Sequence, residues 1–167
     1  NDLSDAKTFG TSSIMLGDAT TGTINAADYN TGLGIDVFAA LTSGDSNIAV
    51  GFAAGDAITT GSQNTFLGKS AGSAITASLD AANNASTSQT IAIGVDAAGG
   101  ALAGYNNVFI GYTSGLVATS TFQNTAVGGK TFLSLTTANE NCAFGYESSE
   151  QMTTGTGNVT MGFQAGD

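Results

Sequence analysis

The sequence predicts an all-β fold: a parallel β-solenoid, or β-roll, of about nine 17-residue coils. Three observations carry that expectation. Glycine recurs at Gly17, Gly34, Gly51, Gly68, Gly94, Gly111, Gly128, Gly145 and Gly162, a stride of 17 residues with one gap of 26. A large apolar residue precedes each: Leu16, Leu33, Val50, Leu67, Ile93, Ile110, Val127, Phe144 and Met161. Four residues ahead of the glycine stands Asn30, Asn47, Asn64, Asn107, Asn124, Asn141 or Asn158, with Ser13 and Thr90 in the other two places. So short a repeat is one supersecondary unit that buries its apolar face only against its neighbours.

Each element of the unit follows from its residues, and the stretch from Asn47 to Gln63 is the clearest copy. Positions three and one before the glycine alternate with the position two before it, which is strand periodicity. The expected orientation points the first pair, such as Ile48 and Val50, into the coil. The middle position (Ala49, Ala92, Ala126, Ala143, Phe66, Phe109) then takes the opposite face. The glycine lets the backbone bend sharply or adopt positive φ where the strand ends. Seven residues on lies a second apolar column, Ile24, Leu41, Ile58, Ile75, Leu135 and Met152, among Thr-rich, strand-compatible residues. A turn at Gly44, Gly61 or Gly155 closes the coil. Asparagine suits turns, and amides stacked one per rung can form a hydrogen-bonded ladder. No stretch sustains a 3.6-residue apolar period, and helical solenoids need longer repeats. Nine rungs make a rod of roughly 43 Å at normal strand spacing.

Residues 1–12 read as a degenerate leading repeat and residues 13–167 as the array, with an insertion at 78–86. The last unit stops at Asp167 partway through its turn, so a segment of a longer array is expected. Insertions in solenoids leave one face as loops. This one is either a tolerated excursion or a contact loop, with Ser78, Leu79, Asp80, Asn83 and Asn84 facing a host receptor, a glycan or a neighbouring fibre.

Composition narrows the function classes. Hydrophobic residues make up 41% of the chain and are periodic, which argues against disorder. Three lysines face 13 acidic residues, a net charge of −10. Nucleic acid and anionic membrane surfaces are therefore not expected partners, because both need a basic footprint. No apolar run reaches membrane-spanning length, so no insertion is expected. Cys142 is alone and is expected to act as a small buried hydrophobe. A single coil encloses few side chains. Phe66 and Phe109, with Phe52, Tyr112, Tyr146 and Phe163 just after their glycines, would otherwise form a long exposed stripe. Side-by-side association with symmetric closure would bury it. A monomeric rod is the alternative.

The segment Asn124–Gly128 reads Asn-Thr-Ala-Val-Gly; Ala-Gly follows the key glycine at Ala54-Gly55, Ala71-Gly72 and Ala165-Gly166; Thr-Thr-Gly recurs at Thr59–Gly61 and Thr153–Gly155. This pattern resembles the 17-residue repeats of bacteriophage tail-fibre-like proteins. It is also similar to the rungs of trimeric autotransporter adhesin heads, which are parallel β-rolls. The resemblance implies a homotrimeric extracellular fibre, on a virion tail or a cell surface, acting as a structural or adhesive segment. A bacterial surface adhesin or an extracellular filament subunit is the alternative reading.

Catalysis and cofactors are not expected. Gly68-Lys69-Ser70 looks like the end of a phosphate-binding loop, but Gln63 stands where that motif needs glycine. No Gly-Gly-x-Gly-x-Asp calcium repeat occurs, so no metal is assigned. A glycan-cleaving tailspike would need paired carboxylates. Asp36, Asp96 and Glu147 share one column, but three rungs apart, about 14 Å, against the roughly 5–9.5 Å a glycosidase pair requires. Glu147 and Glu150 share a turn and read as a solvated acidic pair. There is no histidine to activate a nucleophile. An ice-binding lattice is disfavoured because threonine alternates irregularly (Thr31, Ile48, Thr65, Ile91).

Overall fold

A computed structural model describes residues 6–17, 26–76, 89–100 and 102–167. Among them lie ten short strands: β1 (Ala6–Phe9), β2 (Ser13–Leu16), β3 (Thr31–Leu33), β4 (Ile48–Val50), β5 (Thr65–Leu67), β6 (Ile91–Ile93), β7 (Val108–Ile110), β8 (Thr125–Val127), β9 (Cys142–Phe144) and β10 (Val159–Met161). They form one sheet in sequence order. From β2 to β10 every pairing is parallel, and each residue meets its counterpart in the next repeat, as in Ile48↔Thr65 and Ala49↔Phe66. The register survives the 26-residue gap, where Thr65 pairs with Ile91 and Phe66 with Ala92. The chain is thus a parallel β-solenoid. It makes about seven turns rather than nine. β10 opens a turn that is not closed, and 18–25 and 77–88 lie outside the described residues.

The leading stretch departs from this order. β1 runs antiparallel to β2, with Ala6 opposite Leu16 and Phe9 opposite Ser13. It lies along the β2 edge that faces away from β3, and Phe9 tucks into the core.

The strands present the reverse of the expected faces. The middle residues Met15, Ala49, Phe66, Ala92, Phe109, Ala126 and Ala143 are fully buried. Their neighbours point outward: Leu33 is 50% exposed and Ile48 45%. The reason is the width of the coil. The middle strand residue faces the residue four after the glycine, and a Cβ added to Gly72 would sit 2.5 Å from the Phe66 ring. Gly115 bears the same relation to Phe109. In four rungs one ring fills this space, supplied by the strand (Phe66, Phe109) or by the turn (Phe38, Phe132), and the partner position is then glycine or alanine; in the rungs of Ala49, Ala92 and Ala143 both positions are small. Two β-branched side chains per strand could not enter so narrow a space, so they take the outer face. The second apolar column is inside as expected: Leu41, Ile58, Ile75 and Leu135 are buried, Met152 packs against them, and Ile24 lies outside the described residues.

Candidate functional site

The repeated residues form files along the coil axis. The nine key glycines have φ between 128° and 140°, a region that side-chain-bearing residues rarely adopt. A Cβ on Gly51 would lie 2.5 Å from the Gly68 carbonyl oxygen, and one on Gly68 equally close to that of Gly94. Gly17, Gly34, Gly94, Gly111, Gly128 and Gly145 meet the next glycine's carbonyl in the same way. Gly162 ends the file, with nothing nearer than Ala165 at 3.8 Å. The glycines are therefore structural: only a bare Cα lets consecutive turns approach this closely.

The asparagine file is a buried amide ladder. The Asn47 backbone N–H and Nδ2 both donate to Asn30 Oδ1, at 2.9 and 3.0 Å. Asn64 repeats this on Asn47, at 3.0 and 2.9 Å. A second run links Asn107 to Asn124, Asn124 to Asn141, and Asn141 to Asn158. Thr90 separates the runs, its N–H donating to Asn64 Oδ1 at 3.0 Å. The same amides also tie each rung to itself: Asn30 Nδ2 donates to the Gly44 carbonyl, Asn47 to Gly61 and Asn141 to Gly155. Burial without partners would cost about 1–3 kcal/mol per polar group, so saturation of these amides is what makes the column tolerable inside.

Sequence reasoning missed two further ladders. Thr42, Thr59, Thr119 and Thr136 each donate a hydroxyl to the backbone carbonyl one rung on, at 2.8–3.0 Å. In the opposite sense, Asp45 Oδ1 accepts from the Asp28 N–H and Ser62 Oγ from the Asp45 N–H, at 2.7 and 2.8 Å. The signal was available, since these residues also recur every 17 positions.

The acidic column belongs to a turn. Asp36, Asp96 and Glu147 occupy left-handed backbone positions, with φ of 55–56°. Glu147 is engaged by the residues one rung away on each side: Lys130 Nζ at 2.8 Å and Gln164 Nε2 at 2.9 Å. The Lys130 hydrogen bond, then that of Gln164, holds the Glu147 carboxyl below its ordinary range, and Glu147 in turn holds the Lys130 ammonium above its own. Lys130 also lies over the Tyr146 ring, 5.6 Å from its centre, and Tyr146 stacks on Phe163 at 6.0 Å. Elsewhere, burial pushes the Asp56 carboxyl up, and the charge of Asp36 adds to the effect. No three His, Cys, Asp or Glu side chains converge among the described residues. Among the described residues, which form strands and turns, there is no helix long and apolar enough to cross a membrane.

The outer strand face is the main exposed feature. Ile14, Ile48, Ile91 and Val159 form one column, and Leu33, Phe144 and Met161 a second. Ile35, Phe52, Val95, Tyr112, Tyr146 and Phe163 form a third, just past the glycines. Phe66 and Phe109 were expected on the exposed stripe and are instead core. Cys142, expected inside, is half-buried in the first outer column. The insertion with Ser78, Leu79, Asp80, Asn83 and Asn84 lies outside the described residues.

Comparison with known proteins finds no matching family model, no similar curated protein and no similar solved structure.

Proposed function

We propose that this chain is a structural and adhesive fibre segment, the shaft or repetitive head of a phage tail fibre, which self-associates laterally, as a homotrimer, to project a receptor-binding tip. A surface adhesin or extracellular filament subunit would use the same architecture. The observation that carries the reading is the composition of the outer strand face. None of the nine acidic residues among the described ones stands in its three columns, where Lys69 is the only described charge; Asp18, next after Gly17, lies outside the described residues. Parallel sheets are ordinarily covered on both faces, and charge depletion marks the core of an interface. Leu33, Ile35 and Phe52 are each about half exposed, as a face awaiting a partner requires. The acidic residues on the remaining faces favour solubility of the assembled rod.

The reading assigns no catalytic residue, cofactor, metal or nucleic-acid partner, and it keeps the 78–86 insertion as the contact candidate for a host receptor or glycan. Sedimentation should report a mass near three chains. Leu33→Lys with Ile93→Lys should reduce it to one chain with the β circular dichroism retained. A single-chain mass for the unaltered protein at every concentration would overturn lateral association. Release of oligosaccharide from host polysaccharide would overturn the non-enzymatic reading.

A further inference from the structure

One corner of the coil departs from the repeat at a place where the repeat makes a structural demand. Between the turn and the buried asparagine file stands Asp28, Asp45, Ser62, Tyr105, Phe122 or Asn139, one per rung. The polar members serve the stack. Asp45 Oδ1 accepts from the Asp28 N–H at 2.7 Å, Ser62 Oγ from the Asp45 N–H at 2.8 Å, and Asn139 Oδ1 from the Phe122 N–H at 2.9 Å. A benzene ring at Tyr105 or Phe122 cannot make that bond. Nor do the two rings belong to the core. Both are half-buried and lie outside the buried cluster, with centres 4.8 Å apart and planes tilted by 48°.

Beside them runs a file of exposed amide side chains, Gln63, Gln89, Asn106 and Gln123, in four consecutive rungs. Gln89 Nε2 donates to Gln63 Oε1 at 2.9 Å. The Asn106 and Gln123 side-chain amides, each next in sequence to one of the rings, have no partner among the described residues. An amide both donates and accepts, as a sugar hydroxyl does, and a half-exposed ring offers a flat apolar surface to the C–H face of a pyranose. Small-ligand sites combine such apolar walls with a few placed polar groups. Charge narrows the class. Among the described residues these two files hold no cation, and their charges are Asp28, Asp45 and Glu140. An anionic sugar would meet like charge, whereas a neutral one would not.

We propose that Tyr105, Asn106, Phe122 and Gln123 form a binding site for neutral glycan, the rings stacking on pyranose faces and the amides bonding to their hydroxyls. Successive rungs lie about 4.8 Å apart, so the two ring–amide pairs can engage neighbouring parts of one oligosaccharide. The site lies within the array, with rungs on both sides of it, and owes nothing to either end of the chain. It is additional to the contact loop of the fibre reading and does not rest on lateral association: chain mass tests that, and oligosaccharide binding tests this.

The test is binding of β-linked tetrasaccharides of glucose, galactose and N-acetylglucosamine to the full chain, by calorimetry and NMR, with sialylated and sulfated oligosaccharides in parallel. At least one neutral probe should bind, with contacts between its C–H protons and the Tyr105 or Phe122 ring protons. Tyr105→Asn with Phe122→Asn restores the polar residue that Asn139 exemplifies, and residue 122 then accepts from the residue-105 N–H. That variant should keep its melting temperature and weaken binding about tenfold or more, the scale of lost aromatic contacts. Asn106→Gly with Gln123→Gly suits the left-handed φ of 56° and 59° at these positions and should weaken binding while the ring contacts persist. Failure of every neutral probe to bind, unchanged binding in the ring variant, or preference for the anionic probes would overturn the proposal. So would a ring variant that unfolds, because the rings would then be part of the stack.

Discussion

Gly111 and Gly162 have nearly the same backbone angle, with φ of 139° and 128°, but different surroundings. Gly111 abuts the Gly128 carbonyl, while among the described residues a Cβ on Gly162 meets nothing nearer than Ala165 at 3.8 Å. Valine at either site carries a backbone strain of about 1–3 kcal/mol. Only at Gly111 must two turns also be forced apart. Gly111→Val should therefore lower the melting temperature much more than Gly162→Val, and equal effects would remove the close-approach role. Asn124 allows a parallel comparison. Replacing it by leucine strands the Ala138 carbonyl and the Asn141 backbone N–H, each at about 1–3 kcal/mol. Asn158→Leu removes only the Nδ2 bond to Asn141 Oδ1, which keeps the residue-158 backbone N–H, so denaturant midpoints should separate the two clearly. The structural roles of glycine and asparagine were legible because each residue type is demanded at every rung. The direction of the strand side chains was not. Alternation fixes which residues share a face but not which face is inside, and here both sets are apolar. The cue lay elsewhere, in Phe66 with Gly72 and Phe109 with Gly115, a volume exchange visible only once the coil is closed.

That exchange makes the strand and its following turn one packing element. Phe66→Ala alone should cost about 3–5 kcal/mol, the usual range for emptying a buried aromatic site. Gly72→Phe alone should be at least as damaging, because the ring would meet Phe66. The double variant reproduces the Ala126–Phe132 arrangement, where phenylalanine holds a φ of 53° at the equivalent turn position. A double-mutant cycle should thus show strong favourable coupling, with the double variant more stable than either single one. Additive losses would mean that the two positions do not share one space. The turns form a second element, in which Lys130, Glu147 and Gln164 link three successive rungs. The folded Glu147 carboxyl titrates below its unfolded value, so its contribution is complete above the unfolded value and is lost as pH falls through the folded one. Acidification from neutral pH should lower the melting temperature, and Glu147→Gln should remove part of that slope. Asp56, pushed up by burial, works in the opposite sense: protonation favours the folded state. Asp56→Asn should therefore stabilise at neutral pH and lose its advantage in acid.

At the scale of the whole chain, a solenoid's stability is close to a sum over rungs and their neighbour contacts, so local damage should stay local. Architecture was legible at this scale because in-register parallel stacking requires equivalent residues at a fixed stride, and the glycines supply it. The ends were less legible. The antiparallel β1 has no repeat to betray it, and its residues read in sequence as a worn rung. The outer face is legible only in part: Phe52, Tyr112, Tyr146 and Phe163 are exposed as expected, whereas Phe66 and Phe109 are core and the aliphatic set around Leu33 and Ile48 joins the outer face. The central claim is that consecutive repeats lie in register, one rung on the next, and Cys142 offers a direct reading of it. Thr125→Cys places a second thiol opposite Cys142 in the adjacent strand. Nitroxides on that pair, in chains diluted with unlabelled protein, sit on strands about 5 Å apart at normal strand spacing and should show strong dipolar broadening with spin exchange. Thr65→Cys paired with Cys142, four rungs away, should not. Absence of exchange in the Thr125→Cys protein, or exchange of equal strength in both, would contradict the stacking.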